Sequence, residues 1–412
     1  MAKARAYLDW NATAPLHPAA REAVLRALDT IGNPSSIHAE GRAARALIEE
    51  ARAGVAALVG GEAENVVFTS GATEAANALL GADQASFSPI FLCGDDHPPR
   101  GAVIYSETEH PCVIAAALRS MDLAGAALPI KPQPDGRVTP SALAEMLERA
   151  RPLQPNGARP LVAIQFANNE TGVLQDIPAL AEIARANGAI VIVDAVQAPA
   201  RLEIDVKKLG ADALFLSAHK FGGPKGVGAI IFAHATTRLA RAFIAGGGQE
   251  RGQRGGTENV PGIAGMGAAA IEARNLLSSA NHLRQLRDSF EKNLKKCAKD
   301  AHIIGRKAPR LSNTSLFAIP GITAEKALIA FDLAGVAVSS GSACSSGKVK
   351  ASHVLDAMGE PDWVKAGAIR LSIGPTTSEA GIDQALGVIE WLVSRREGKN
   401  SASKGAIQVS AA

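Results

Sequence analysis

Residues 189–195 read AIVIVDA, an apolar and β-branched run that ends in a carboxylate. A strand with one wet face alternates polar and apolar residues; this run does not, and it suits a mainly parallel sheet covered on both faces. Similar short runs lie at Val66 to Thr69, Ala102 to Tyr105, Leu161 to Ala167, Ala213 to Ser217 and Val227 to Phe232. Helical stretches separate them. Between Arg42 and Val59, for example, Ala44, Leu47, Ile48, Ala51, Val55 and Leu58 fall at helical spacing, and Gly60-Gly61 ends the run. The alternation predicts an α/β chain with a doubly wound sheet.

A chain of 412 residues, 47% hydrophobic, is long enough for two domains. The pattern changes after GGGQERGQRGGTENVPG, which places a large domain over 15–265 and a smaller α+β domain over 266–397 together with 1–14. Residues 398–412 are small and polar with no core face, and are expected to form a mobile tail. The stretches 129–137 and 152–160 read as turn-rich surface connections, and 81–101 as a Pro- and Asp-rich insertion. Net charge is only +3, from 43 basic and 40 acidic residues, with no long run of one sign, so nucleic acid is not an expected partner. Neither a secretory signal nor a membrane span is evident, and a cytoplasmic protein is expected. Cys93, Cys112, Cys297 and Cys344 have no CxxC spacing and the nine histidines form no cluster, which argues for reduced thiols and no resident metal.

Chemistry gathers at three strand ends. In LFLSAHKFGGPKGVG (214–228) a strand runs into Lys220, where a partly desolvated amine is suited to Schiff-base chemistry. Upstream, the AIVIVDA strand ends in Asp194, followed by Gln197; a carboxylate there can pair with a protonated pyridine nitrogen. In VVFTSGATEAAN (66–77) a glycine turn leads into a helix, whose N–H groups and the Thr73 hydroxyl would seat a phosphate. Taken singly these are a surface lysine, a helix cap and a bare turn. Together, in this order, they describe a pyridoxal-phosphate site.

The segments SGATE, TEHP, NNETG, VDAVQ, SAHK, RGGTEN and SSGSAC, with YLDWNATAPL and GNPSSIHAEGRAAR at the start, resemble cysteine desulfurases of the NifS/IscS type over all but the last fifteen or so residues. That resemblance implies the fold type I architecture of pyridoxal-phosphate-dependent transferases. It gives Lys220 the covalent hold on pyridoxal 5′-phosphate and Asp194 the ring nitrogen. It stacks His110 on the ring, with Asn169 and Gln197 hydrogen-bonding around it. Ala72, Thr73, Ser217 and His219 hold the phosphate, and Thr257 reaches across from the second subunit of a homodimer. Arg370, with Asn169, would bind the carboxylate of L-cysteine. Cys344, in the serine- and glycine-rich GVAVSSGSACSSGKV, would take the substrate sulfur as a persulfide, leaving L-alanine, and would touch any transferred cluster. Deprotonation of that thiol falls to His110 or to a lowered pKa. An iron-sulfur scaffold or other persulfide acceptor is the implied partner, although GKNSASKGAIQVSAA does not resemble the scaffold-docking tail of the housekeeping enzymes. Selenocysteine lyase, an aminotransferase of the same fold, and a docking module without catalysis remain alternatives.

Overall fold

The computed structural model describes residues 5–81, 90–92, 100–119, 126–153, 159–239, 242–341 and 352–407. A seven-stranded sheet organises the larger part. Its strands are β1 (Val66–Thr69), β2 (Arg100–Ser106), β3 (Ala127–Ile130), β4 (Arg159–Gln165), β5 (Ile190–Asp194), β6 (Ala213–Ser217) and β7 (Gly228–Phe232). They lie in the order β1-β7-β6-β5-β4-β2-β3. From β6 to β3 every pairing is parallel, and β7 runs antiparallel to both β6 and β1.

Alternate side chains of each strand enter two different cores. Phe68, Ile104, Val162, Val193 and Leu214 point to one, shared with the helices Ala39–Leu58, Ile177–Ala186 and Val260–Asn275. Val67, Val103, Ala163, Ile192 and Phe215 point to the other, under the helices Ala72–Leu80 and Pro111–Arg119. Both faces are dry, which is why AIVIVDA carries no polar alternation. Each fully buried side chain such as Phe215 or Ile104 contributes roughly 1.5–3 kcal/mol relative to exposure.

The stretch read as a turn from Pro129 onward begins inside a strand. β3 lies at the sheet edge, where a proline without an N–H is tolerated because one side of the strand needs no partner. Likewise β4 starts at Arg159, inside the second turn-rich stretch.

A second, antiparallel sheet contains β8 (His302–Ile303), β9 (Thr314–Ala318), β10 (Ser339–Ser340) and β11 (Ile369–Ser372), in the order β8-β9-β11-β10. Its core joins Phe290, Phe317, Phe331, Leu371 and Ile389 with Leu8 from the chain start. The short strand Ala6–Tyr7 pairs with Val336–Ala337, so the first residues pack with this unit before crossing to the larger one. Helix Val260–Asn275 spans residue 265, and its Ile263, Met266, Ala269 and Ala273 belong to the large core, whereas Leu283 belongs to the second. The final helix, Glu379–Ile407, runs well into the stretch expected to be a tail: its alanines, serines and lysines are compatible with a helix and no proline interrupts them. Among the described residues no helix is long and apolar enough to cross a membrane.

Candidate active site

β5 and β6 are parallel neighbours, with Asp194 opposite Phe215, so their carboxyl ends deliver Asp194 and the turn Ala218–Lys220 to one edge of the sheet. In open α/β sheets this edge is where ligands bind. Lys220 Nζ donates to the carbonyls of Asn11 and Ala12 at 2.8 and 3.0 Å. Asp194 is buried, and its Oδ1 accepts the Val196 N–H at 2.9 Å. Burial raises its carboxyl to about 6, opposed by that N–H and by Lys220. A cationic nitrogen placed against it would stabilise the ionised form. Gln197 Nε2 donates to Asn11 O at 3.1 Å, while its buried Oε1 has no partner among the described residues.

Beyond β1 the chain turns through Ser70 and Gly71 into helix Ala72–Leu80, and Gly71 caps that helix without a side-chain bond. A Cβ built on Gly71 would meet nothing within 4 Å, so open space faces the helix N-terminus, with exposed Thr73 beside it. The turn is held from behind: Ser70 N–H donates to Glu74 Oε2 at 2.7 Å, and Arg254 Nε donates to Glu74 Oε1 at 3.1 Å. Ser217 ends β6 opposite Gly228, and a Cβ on Gly228 would stand 2.6 Å from Leu216 O and 2.7 Å from Gly71 Cα. Gly228, in β7 between β1 and the lysine strand β6, thus has the backbone of both the Ser70–Gly71 turn and β6 against it. His219 Nδ1 lies 3.2 Å from Thr13 Oγ1, and its imidazole is pulled to about 4 by burial and then by Lys220 and Lys225. A sterically open helix N-terminus, an orphaned amide oxygen and a buried carboxylate beside a lysine fit a ligand with an anion at one end and a basic ring nitrogen at the other.

His110 precedes helix Pro111–Arg119, and burial, then Lys220 and His353, lower it to about 4. Arg370 in β11 is buried; Nη1 donates to Asn169 O at 3.0 Å, Nη2 to Asp9 Oδ1 at 2.7 Å, and Nε has no partner among the described residues. Asn169 thus meets Arg370 through its carbonyl. The NNETG turn around it is tied by Asn168, whose Oδ1 accepts the N–H groups of Glu170 and Thr171 at 2.9 and 2.8 Å.

Cys344 and Cys93 lie outside the described residues. The described flanks of the Cys344 segment, Gly341 and Ser352, both meet Glu170. Ser352 Oγ donates to Glu170 Oε2 at 2.6 Å, and a Cβ on Gly341 would be 2.7 Å from that oxygen. Burial lifts Glu170 to about 7, against the Ser352 bond and Arg370. Thr257 is exposed, on the loop that Arg254 ties to Glu74. The structure brings Lys220, Gln197 and Asn169 onto Asn11 of the N-terminal segment, with Asp194 near enough to Lys220 to feel its charge; among the described residues Thr257 is not joined to them. Asp9, Asn11, Glu109 and Glu170 were missed by sequence reading. Asp9 and Asn11 stand in the quoted YLDWNATAPL, but only the fold shows what they touch. A cavity of about 340 Å³ lined by Trp10, Leu16, Phe221, Leu283 and Ile373 shares Lys220 with this site but none of Asp194, His110 or Thr73.

The aminotransferase class-V family model matches residues 6–385. A cysteine desulfurase of Cereibacter sphaeroides is 39% identical over 394 residues, covering 94% of this chain and 96% of that protein. An IscS-like cysteine desulfurase of Mycobacterium tuberculosis is 37% identical over 405 residues, 97% of this chain and 99% of its own. The solved NifS-like protein of Rickettsia africae superposes with a TM-score of 0.82 at 33% identity, covering 95% of this chain and 99% of that one. The motifs, the fold and these matches agree: the chain belongs to the aminotransferase class-V family, among its cysteine desulfurases.

Proposed function

We propose that this cysteine desulfurase holds pyridoxal 5′-phosphate on Lys220 and moves the sulfur of L-cysteine onto Cys344, releasing L-alanine. The observation that carries the assignment is the meeting of Lys220 and buried Asp194 at adjacent strand ends beside the open N-terminus of helix Ala72–Leu80. Bound there, the cofactor supplies an electron sink for charge released at the substrate α-carbon. Asp194 keeps the ring nitrogen protonated, and Ala72, Thr73, Ser217 and His219 hold the phosphate. Lys220, close to the carbonyls of Asn11 and Ala12, is fixed in direction before any ligand arrives. Asn169 and Gln197 orient the ring, and His110 stacks on it and handles a proton. Arg370 offers the substrate carboxylate its remaining N–H groups, and the planar fork fixes the amino acid in one orientation.

Cys344 acts as a thiolate. Its sulfur attacks the substrate Sγ, an S–S bond forms as the Cβ–Sγ bond breaks, and the freed carbon is protonated to give alanine. The persulfide then passes to an acceptor protein, for which iron-sulfur assembly is the proposed use, in the cytoplasm. A homodimer is proposed with Thr257 completing the partner's phosphate seat; Leu28, Ile31 and Ile37 are 64%, 83% and 89% exposed in the isolated chain, apolar surface of the kind a second copy covers. Incubation with L-cysteine tests the assignment. Alanine should form, and the peptide containing Cys344 should gain one sulfur; a persulfide on another cysteine would overturn it.

A further inference from the structure

Helix Pro111–Arg119 begins directly after His110, and the imidazole closes its end. The Cys112 backbone N–H donates to His110 Nδ1 at 3.2 Å, while the His110 carbonyl accepts from Val113 N–H at 2.8 Å. A backbone N–H can only donate, so Nδ1 is an acceptor and the neutral ring carries its proton on Nε2. His17 and His38 cap their helices in the same way, with Ala19 and Gly41 N–H groups 3.3 Å from Nδ1. At His38 the second neighbour of Nδ1 is an exposed carboxylate, Glu40 Oε2, at 3.0 Å, whereas at His110 it is a thiol, Cys112 Sγ, also at 3.0 Å.

That thiol is set between two groups of the site. Burial, then Asp194 and to a smaller degree Glu109, push it up to about 12, so it stays S–H, and the Thr73 side chain is close enough to act on it in the opposite sense. The sulfur can accept from the Thr73 hydroxyl while its own proton points to Nδ1. The carboxyls nearest the pair, Asp194 and Glu109, act on the thiol, whereas the groups that act on the imidazole are cationic. Lys220 and His353 oppose an imidazolium, and so does the positive end of the helix that His110 caps.

We propose that Cys112 is a positioning residue: its thiol locks His110 in the Nε2–H tautomer and ties that ring to Thr73 of the phosphate seat. The consequence is directional. His110 offers a proton at Nε2 and accepts none there until it has given that proton up, so the first deprotonation of substrate or of Cys344 belongs to another group. The lock stands on the geometry of this chain, whereas its link to catalysis rests on the assignment of Thr73 and His110 to the cofactor site.

The test uses cofactor-free protein with ¹⁵N-labelled histidine rings, read by long-range ¹H–¹⁵N correlation across pH. Wild type should show His110 as the Nε2–H tautomer, titrating near 4. In Cys112→Ala the midpoint should rise by about one unit, because a bond to the neutral ring is lost, with unchanged circular dichroism. Cys112→Ser, which keeps a donor and an acceptor, should restore the low midpoint. Inorganic phosphate should shift the His110 signals in wild type and in the serine variant, but not in the alanine variant. An Nδ1–H tautomer in wild type, or the same midpoint in wild type and Cys112→Ala, overturns the lock. Phosphate that moves the Thr73 amide but not His110 overturns the link to the seat. Phosphate that moves neither overturns the phosphate seat itself, and the Thr73 link with it, while the tautomer and midpoint still judge the lock.

Discussion

Arg370 and Asp9 lie 361 residues apart in the chain and 2.7 Å apart in space, Nη2 to Oδ1. Their side chains are 4% and 16% exposed, and the second carboxylate oxygen of Asp9 accepts from Ser339 Oγ at 2.8 Å. Asp9→Ala leaves a buried guanidinium without its counter-charge, which costs on the order of 3–5 kcal/mol. Urea denaturation measures it. A loss below about 1 kcal/mol would place the pair with weak surface bridges, and adding Arg370→Met should recover part of the loss.

Arg370→Lys keeps the charge and removes the fork. KM for L-cysteine should rise about tenfold or more while cofactor absorbance stays unchanged, because a point charge cannot fix a planar carboxylate in one orientation. Steady-state kinetics at saturating cofactor decide this, and an unaltered KM would move the carboxylate site elsewhere.

Lys220 should be the residue to which borohydride fixes the cofactor. Lys220→Ala should fold normally and bind pyridoxal 5′-phosphate without covalent trapping. Peptide mapping after reduction reads the outcome, and label on Lys225 would displace the assignment.

Cys344→Ser separates sulfur transfer from cofactor binding. Colour and stability should persist, the latter within about 0.5 kcal/mol for a substitution in so serine- and glycine-rich a segment. Alanine formation should fall by roughly three powers of ten or more, since a hydroxyl supplies almost no anion at neutral pH. Cys93→Ser and Cys297→Ser are the controls. Activity in Cys344→Ser near wild type would show the thiol to be dispensable.

Glu170→Gln tests the carboxyl that meets both flanks of the thiol segment. Its folded value of about 7 lies above the ordinary 4.5, so the folded chain holds a proton that the unfolded chain has released between those limits. Wild-type stability relative to the variant should therefore fall as pH rises from about 4.5 to about 7 and stay level above. Denaturation midpoints of both proteins at pH 5 and pH 8 check the sign. A difference independent of pH would mean that Glu170 ionises normally.

Much of this fold was legible because both cores are built from alternate residues of short apolar strands, and such strands announce themselves. Asp194 and Lys220 were legible for the same reason, since each follows directly from a strand end. β3 was hidden because Pro129 reads as a turn until the edge position is known. Asp9 and Asn11 were hidden by distance: their partners Arg370, Thr314, Asn169 and Gln197 come from remote parts of the chain, and no local pattern announces those contacts. The tautomer of His110 depends on a thiol and a backbone N–H two residues on, which sequence alone does not orient.

The backbone contact between Gly228 and Gly71 makes the site a length gauge. With no side chain at Gly228, which lies in β7 between them, the turn that would seat the phosphate and the strand that leads to Lys220 both close on one backbone. The span from anion to reactive amine is thus set by an absent methyl group. An alanine at 228 would wedge the two ends apart and reset the gauge.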